Sequence, residues 1–308
     1  MSTALAEIAH DIRYRALGWL YTHRQRGALV GNDLAQDMDA SKALAETAVA
    51  ASVILRGGTA GSQESAWAQA LIQFAWAELK EGALLYERAL HHPMATDVLE
   101  AYGHFARAGY RHPGLDRMIP HMAMCGAAHV PEYQPYQRLA AASALRLSGH
   151  DHGLNASDWH RWATDTWLGR TPAPWLLDWS TGYAVTHTVF HLTDWGRDPA
   201  GLPRNMAAYL TRWLPVWTDV WSEVCQWDLV GELLFVGCCL PEPSTELGDW
   251  QHLAEIQHSD GLMPADSQDV DDDPAVRFTE HQHSTIVAAV ASTTALTRAL
   301  DGAFGQHI

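Results

Sequence analysis

The sequence predicts an all-α protein, most simply an α/α toroid in which an outer ring of helices wraps an inner one. Three observations predict it. Almost every segment has helical period, and no stretch alternates strictly between apolar and polar residues. Amphipathic helices, which belong outside, tend to alternate with helices that are apolar on nearly all sides and belong inside. Six outer–inner hairpins of about 50 residues account for a single domain over 1–308, without the fixed-period self-similarity of a solenoid.

Taken in order, a first helix covers about 4–24 and a second, Ala/Leu/Val-rich one about 42–56, stopping at Gly57 and Gly58. Ser62 is placed to cap a long helix running to about 90, amphipathic in its later turns through Glu78, Lys80, Glu81, Glu87 and Arg88. Helices follow at 94–108, ending at Gly109, at 115–128, and at 136–148, where Leu139-Ala-Ala-Ala-Ser-Ala-Leu145 is apolar almost all round before Gly149. A loop over 150–155 leads to a helix at 158–168 and then to one at 181–195. Beyond the 198–203 linker a helix runs to about 224 with Pro215 as a kink. Then come an apolar helix at 228–240, interrupted only by Asp228 and Glu232, and an amphipathic one at 245–257. An acidic loop over 266–273 precedes the last helix, 284–300.

A composition of 47% hydrophobic and 18% charged residues suits a large buried core. The net charge of −16 argues against non-specific nucleic-acid binding and anionic membrane surfaces, and is compatible with a small neutral or cationic ligand. No apolar run is long enough to span a bilayer, and the N-terminus lacks a signal-peptide pattern, so a cytoplasmic protein is expected. Cys125, Cys225, Cys238 and Cys239 show no metal-site spacing and read as buried free thiols in a reducing compartment. The 18 His and 14 Trp are in excess. Tryptophan at that level fits either an aromatic core or an aromatic-lined pocket, and the histidines in loop-like text such as His91, His92, His150 and His152 read as surface.

One stretch stands out, Asp178 to Gly196. Within a helix over 181–195, His187, His191 and Asp194 stand at i, i+4 and i+7, a polar stripe in an apolar helix. A buried stripe must find partners, whether neighbouring helices, a metal or a polar substrate. Asp228 and Glu232 form a second i, i+4 pair, and two close carboxylates repel unless a cation lies between them or one keeps a proton. His281 and His283 point nearly opposite ways in a helix, and His283 is the better placed to face inward. His187, Asp194, Glu232 and His283 would make two histidines and two carboxylates from three inner helices, a set suited to Fe(II), Mn(II) or Zn(II). The same groups could act as general acid and base, or simply tie the helices together. Trp179, Tyr183, Phe190 and Trp227 beside them are the candidate substrate-binding surface.

Two motifs resemble toroid proteins. Gln257, Asp260 and Gly261 resemble the Gln…Asp-Gly repeat that closes outer helices in squalene–hopene cyclases and protein prenyltransferase subunits, without the tryptophan that follows there. Asp269-Val-Asp-Asp272 resembles the cyclases' acid motif, which would make Asp271 the proton donor. Tyr183-Ala-x-Thr-His-Thr-x-Phe190 with Thr193-Asp-x-Gly196 resembles the signature of a bacterial family whose genes typically lie with natural-product biosynthesis genes. That resemblance extends to Asp228, Glu232 and the Gln282-His-Ser-Thr-Ile-Val287 segment, where the family has tyrosine before the histidine. It spans about two-thirds of the chain, supports His187, Asp194, Asp228, Glu232 and His283, and leaves out His191, where tyrosine is usual.

These readings predict a biosynthetic enzyme acting on a hydrophobic small molecule in a central, aromatic-lined cavity. Metal-assisted oxidation or rearrangement comes first, with His187 and His283 as ligands, Asp194 and Glu232 as ligands or bases, and Asp228 beside them. A metal-free acid–base cyclase or isomerase, with Glu232 or the 269–272 run as acid, is the alternative, and a non-catalytic binding protein the second. No nucleotide cofactor is expected, since no GxGxxG or Walker loop occurs. The oligomeric state stays open.

Overall fold

Helix is the only regular structure among the described residues of the computed structural model, which are 3–31, 34, 37–93, 96–131, 133–151 and 154–305. The α-helices are α1 (Thr3–His23), α2 (Met38–Gly57), α3 (Ser62–Glu78), α4 (Ala83–His91), α5 (Asp97–Arg107), α6 (Pro113–Met124) and α7 (Tyr136–Ser148). They continue with α8 (Ala156–Asp165), α9 (Trp179–Leu192), α10 (Arg204–Glu223), α11 (Trp227–Cys239), α12 (Leu247–Ile256) and α13 (Pro274–Gly305). No described helix is long and apolar enough to cross a membrane.

Apolar patterning sorts these helices into two layers. In α11 every residue except Asp228 is buried, and in α5 the run from Val98 to Ala106 is buried except at Glu100. Outer helices bury only a stripe: α10 hides Met206, Leu210, Leu214, Trp217 and Thr218. The inner helices follow one another as neighbours, α2 on α5, α5 on α7, α7 on α9, α9 on α11, α11 on α13, and α13 back on α2. Outside them, α3 covers α2, α8 covers α7 and α9, and α10 covers α11. The N-terminal helix α1 lies against the C-terminal α13 and against α3 and α12.

Two polar devices hold α1 in place. Arg13 is buried and makes a bidentate pair with Glu64 of α3, at 2.8 and 3.0 Å. Such a pair fixes geometry more than it adds stability, because both charges must leave water. The Gln257–Gly261 segment supplies the second. The Gln257 amide donates to the carbonyl oxygens of Ile12 and Gly261, at 3.2 and 2.8 Å. Gly261 sits at φ 104°, and a Cβ there would lie 2.3 Å from the Arg15 carbonyl oxygen, so only glycine lets the two backbones meet.

Several boundaries differ from the sequence expectation. The helix expected over 62–90 breaks after Glu78, where Lys80, Glu81 and Gly82 all take positive φ and turn α4 onto α5 and α6. Its N-cap is Gly61, whose N–H donates to Glu64, rather than Ser62. Pro215 does not interrupt α10, because it lies on the exposed side, where the carbonyl it leaves unbonded can meet water. The last helix begins ten residues early, at Pro274, with the Asp273 carboxylate accepting from the Ala275 N–H at 2.8 Å. Aspartate before a proline at the first helical position is a strong start signal. The acid-motif residues Asp269, Asp271 and Asp272 are therefore an exposed lead-in to a helix cap. Cys125 is exposed and Cys225 half-buried, so only Cys238 and Cys239 fit the expectation of buried thiols. The expected helix start at Met94 and surface His152 lie outside the described residues.

Replacing Gly261 by Ala should destabilise the protein by about 2–4 kcal/mol, from left-handed strain plus the backbone clash. Urea unfolding checks this through the midpoint at unchanged slope. A loss under about 0.5 kcal/mol, the ordinary surface value, would mean that the closure of α12 on α1 is loose.

Candidate functional site

The helix carrying the His187 motif starts cleanly. Asp178 caps it, accepting from the Thr181 N–H at 2.8 Å, while the Thr181 hydroxyl oxygen accepts from the Asp178 N–H at 2.9 Å. Its end is different from the sequence expectation. Helix α9 stops at Leu192, and Asp194, Trp195 and Gly196 take φ 49°, 56° and 79° in succession. Left-handed backbone costs a non-glycine residue about 1–2 kcal/mol, so two in a row need outside support. Arg56 and Arg107 provide it: their guanidinium groups lie 3.1 and 2.7 Å from the two Asp194 oxygens, and Arg56 also donates to the Asp194 carbonyl at 3.2 Å. The stripe of His187, His191 and Asp194 is thus broken, and Asp194 faces two arginines. Burial alone would raise its pKa, but the two guanidiniums outweigh that and hold it low.

The other charged candidates do come together, around a residue the sequence reading passed over, Glu46 of α2. His283 of α13 has Nδ1 at 3.0 Å from Glu46 and Nε2 at 3.5 Å from Asp228 and 3.7 Å from Glu232. Burial would push its pKa down, yet the three carboxylates raise it well above the ordinary 6.5. His283 is therefore an imidazolium clamped between α2 and α11. Glu232, despite burial, is held below its ordinary range by His187 and His283, and it also accepts the Thr186 hydroxyl. Asp228 is shifted upward, by burial first, with the attraction of His283 opposed by Glu232. The Tyr183 hydroxyl donates to Asp228 at 2.5 Å.

His187 stands at the edge of this cluster. Its Nδ1 is 2.8 Å from the Tyr183 carbonyl oxygen and 4.0 Å from Glu232. A carbonyl only accepts, so in the neutral ring Nδ1 carries the proton and Nε2 keeps the lone pair.

The four residues expected to bind a metal do not fit one as a set. Asp194 is taken by Arg56 and Arg107, and both ring nitrogens of His283 face carboxylates. Among the described residues, no group of three or more His, Cys, Asp and Glu is arranged to hold a metal ion.

A cavity of about 500 Å³ lies between α2, α5, α7 and α9. Ala45, Val49, Ala101, Ala140, Ala144 and Leu147 supply its apolar wall. Small alanines on facing helices leave this room because they fill so little of the space between the helix axes. Glu46, Glu100, His104, Ser143, His187 and His191 supply polar wall, and Met38, Asp39 and Lys42 of the first turn and a half of α2 also line it. Trp195 is the one indole or phenyl ring among the described lining residues, so the wall is not aromatic as expected.

The four aromatic candidates lie elsewhere. Phe190 stacks on Phe235 at 4.3 Å in the core, exposed Trp179 sits edge-on to Tyr183 at 4.9 Å, and Trp227 packs against His252 at 5.2 Å. Glu100 is pushed up to about 7, by burial first and by Asp97, against a hydrogen bond from Thr96. Glu46, Glu100, His104 and Ser143 are the site residues that sequence reasoning missed. Ser143 had one available signal, a polar residue inside an Ala/Leu-rich run, whereas Glu100 and His104 sit on a polar stripe with Asp97 and Arg107 that reads as an ordinary exposed face.

A family model described as "Domain of unknown function (DUF6895)" matches residues 14–293, a span that takes in the whole cavity wall and the His283 cluster. No curated protein and no solved structure matches the chain.

The charge cluster carries a pH signature. A raised His283 contributes its full stability below 6.5 and loses it as pH climbs from there through its folded value. Glu46 and Glu232, held low, contribute above 4.5 and lose it as pH falls through their folded values. Thermal unfolding should therefore show this contribution greatest between 4.5 and 6.5, with a decline on the alkaline side. His283→Gln should melt lower at every pH in that window and lack the alkaline decline. A variant whose profile runs parallel to wild type would contradict the imidazolium assignment.

Proposed function

The chain belongs to the DUF6895 family, and from its site we propose that it is a metal-free acid–base enzyme for a small, largely hydrophobic organic molecule. The observation that carries this reading is His187, a cavity-wall residue whose Nδ1 lies 2.8 Å from the Tyr183 carbonyl oxygen, so that a neutral ring would offer Nε2 as its basic nitrogen. A base needs that arrangement: one nitrogen tethered to orient the ring, the other left to take a proton.

In the proposed step the substrate proton passes to His187 Nε2. The resulting imidazolium gains from Glu232, whose carboxylate lies 4.0 Å from Nδ1, faces His283 and accepts the Thr186 hydroxyl. Glu232 therefore supports the base rather than acting as the acid. The acid role falls to Glu100, on the α5 side of the same cavity, because a carboxyl held up to about 7 is partly protonated near neutral pH. Proton removal at one atom and delivery at another is isomerase or cyclase chemistry. The alanine, valine and leucine wall suits a hydrophobic substrate body, and the resemblance to proteins encoded near natural-product genes suits a biosynthetic setting.

Two measurements test this. In ¹⁵N NMR of labelled histidines, neutral His187 should be the Nδ1–H tautomer, and an Nε2–H tautomer would sink the base assignment. In D₂O, the protein should exchange deuterium into carbon acids from a panel of hydrophobic carbonyl compounds, and His187→Gln should slow exchange by about 10²–10⁴-fold. Exchange at wild-type rate in that variant would remove His187 from the chemistry.

A further inference from the structure

Part of the cavity wall consists of polar groups with no partner in the protein. His104 of α5, Ser143 of α7 and His191 of α9 are 3%, 1% and 4% exposed. His104 Nδ1, Ser143 Oγ, both ring nitrogens of His191, and the indole Nε1 of Trp195 make no hydrogen bond. The Trp195 ring centroid is 5.5 Å from that of His104 and 6.1 Å from that of His191, and Ser143 lines the same cavity. Buried polar atoms are nearly always bonded, so four such side chains on one cavity point to a ligand that bonds them.

The chemistry of the four narrows that ligand. His104 is pushed down to about 3 by burial and then by Arg107 and Arg56, and His191 well below its ordinary value, by burial first. Both imidazoles are therefore neutral, each with one N–H and one lone pair. Trp195 only donates, while Ser143 both donates and accepts. A carboxylate has only acceptors, so it would leave the His191 lone pair unsatisfied. An ammonium has only donors and would leave the Trp195 N–H unsatisfied. A neutral group with a carbonyl and an N–H on adjacent atoms serves both kinds.

We propose that His104, Ser143, His191 and Trp195 form a head-group subsite for a carboxamide or lactam, the apolar body of the ligand lying along the alanine wall. This rests on the cavity being the ligand site, as in the reading above, but not on His187 being a base.

The probes are benzamide, benzoate, benzylamine and toluene, which share one ring and differ in the head group, with affinities measured by ligand-observed NMR titration at neutral pH. Benzamide should bind at least about tenfold more tightly than the other three, the scale of one or two good hydrogen bonds to a buried site. Ser143→Ala and His191→Phe should each weaken benzamide about five- to tenfold and leave toluene unchanged. Ser143→Ala also removes an unsatisfied buried hydroxyl, so without ligand it should melt roughly 2 °C higher than wild type.

The subsite is overturned if toluene binds within about threefold of benzamide, if a charged probe binds best, or if no probe binds. It is equally overturned if Ser143→Ala leaves benzamide affinity unchanged or lowers the melting temperature. The titration with these probes needs no turnover, and the deuterium-exchange assay needs no benzamide. Failure of the acid–base reading would thus leave this binding pattern intact, and failure of the subsite would leave deuterium exchange intact.

Discussion

The His283 imidazolium, with Glu46 on one side and Asp228 and Glu232 on the other, is the contact on which the rest of the site depends. It joins α2, α11 and α13, with α13 packed against the other two, in the least forgiving medium a charge can occupy. A buried ion pair of this kind is seldom a large net source of stability, because desolvation offsets most of the attraction. Its value lies in what it forbids. Any arrangement of the three helices that separates these side chains strands a charge away from water. The same clamp, with His187, holds Glu232 below its ordinary range. Structure and proposed chemistry share one set of charges.

Asp194 illustrates the same logic in a different role. Its two oxygens meet Arg56 from α2 and Arg107 from α5, and its backbone, with that of Trp195, is left-handed. Without the two guanidinium groups α9 would have little reason to end in this turn. With them, the turn carries Trp195 onto the cavity wall beside His104 and His191. One carboxylate between two arginines leaves one positive charge in excess, and the same guanidiniums help to keep His104 neutral. A residue first read as a metal ligand thus shapes the site through the backbone instead.

The cavity exists because of what the inner helices lack. Alanines at 45, 101, 140 and 144 leave space that leucines would fill. The tryptophans, by contrast, mostly serve packing. Trp162 and Trp250 are among the largest fully buried side chains, and Trp195 is the exception that reaches the cavity. Polar atoms along an alanine wall give a site with an apolar body and a polar end, which is how small-molecule sites achieve both affinity and orientation.

Periodicity and composition alone determined the all-α class and which helices lie inside, because an all-round apolar helix such as 136–148 or 228–240 has no stable place at a surface. The approach of His187 and His283 to Glu232 was legible too, since polar residues on inner helices must find one another, but Asp194, expected with them, pairs elsewhere. Ser143 was visible as a polar residue in an apolar run, while Glu46, Glu100 and His104 lie among other polar residues, and nothing local separates a cavity group from one tied into packing. Only the tertiary structure decided that Asp194 leaves the helix, because its reason lies 138 residues away in Arg56 and 87 away in Arg107. Only the tertiary structure could set which ring nitrogen of His187 is tethered, or where small residues from α2, α5 and α7 leave space together. Local pattern fixes which face a residue shows, while cavities and charge partners depend on helices far apart in the chain.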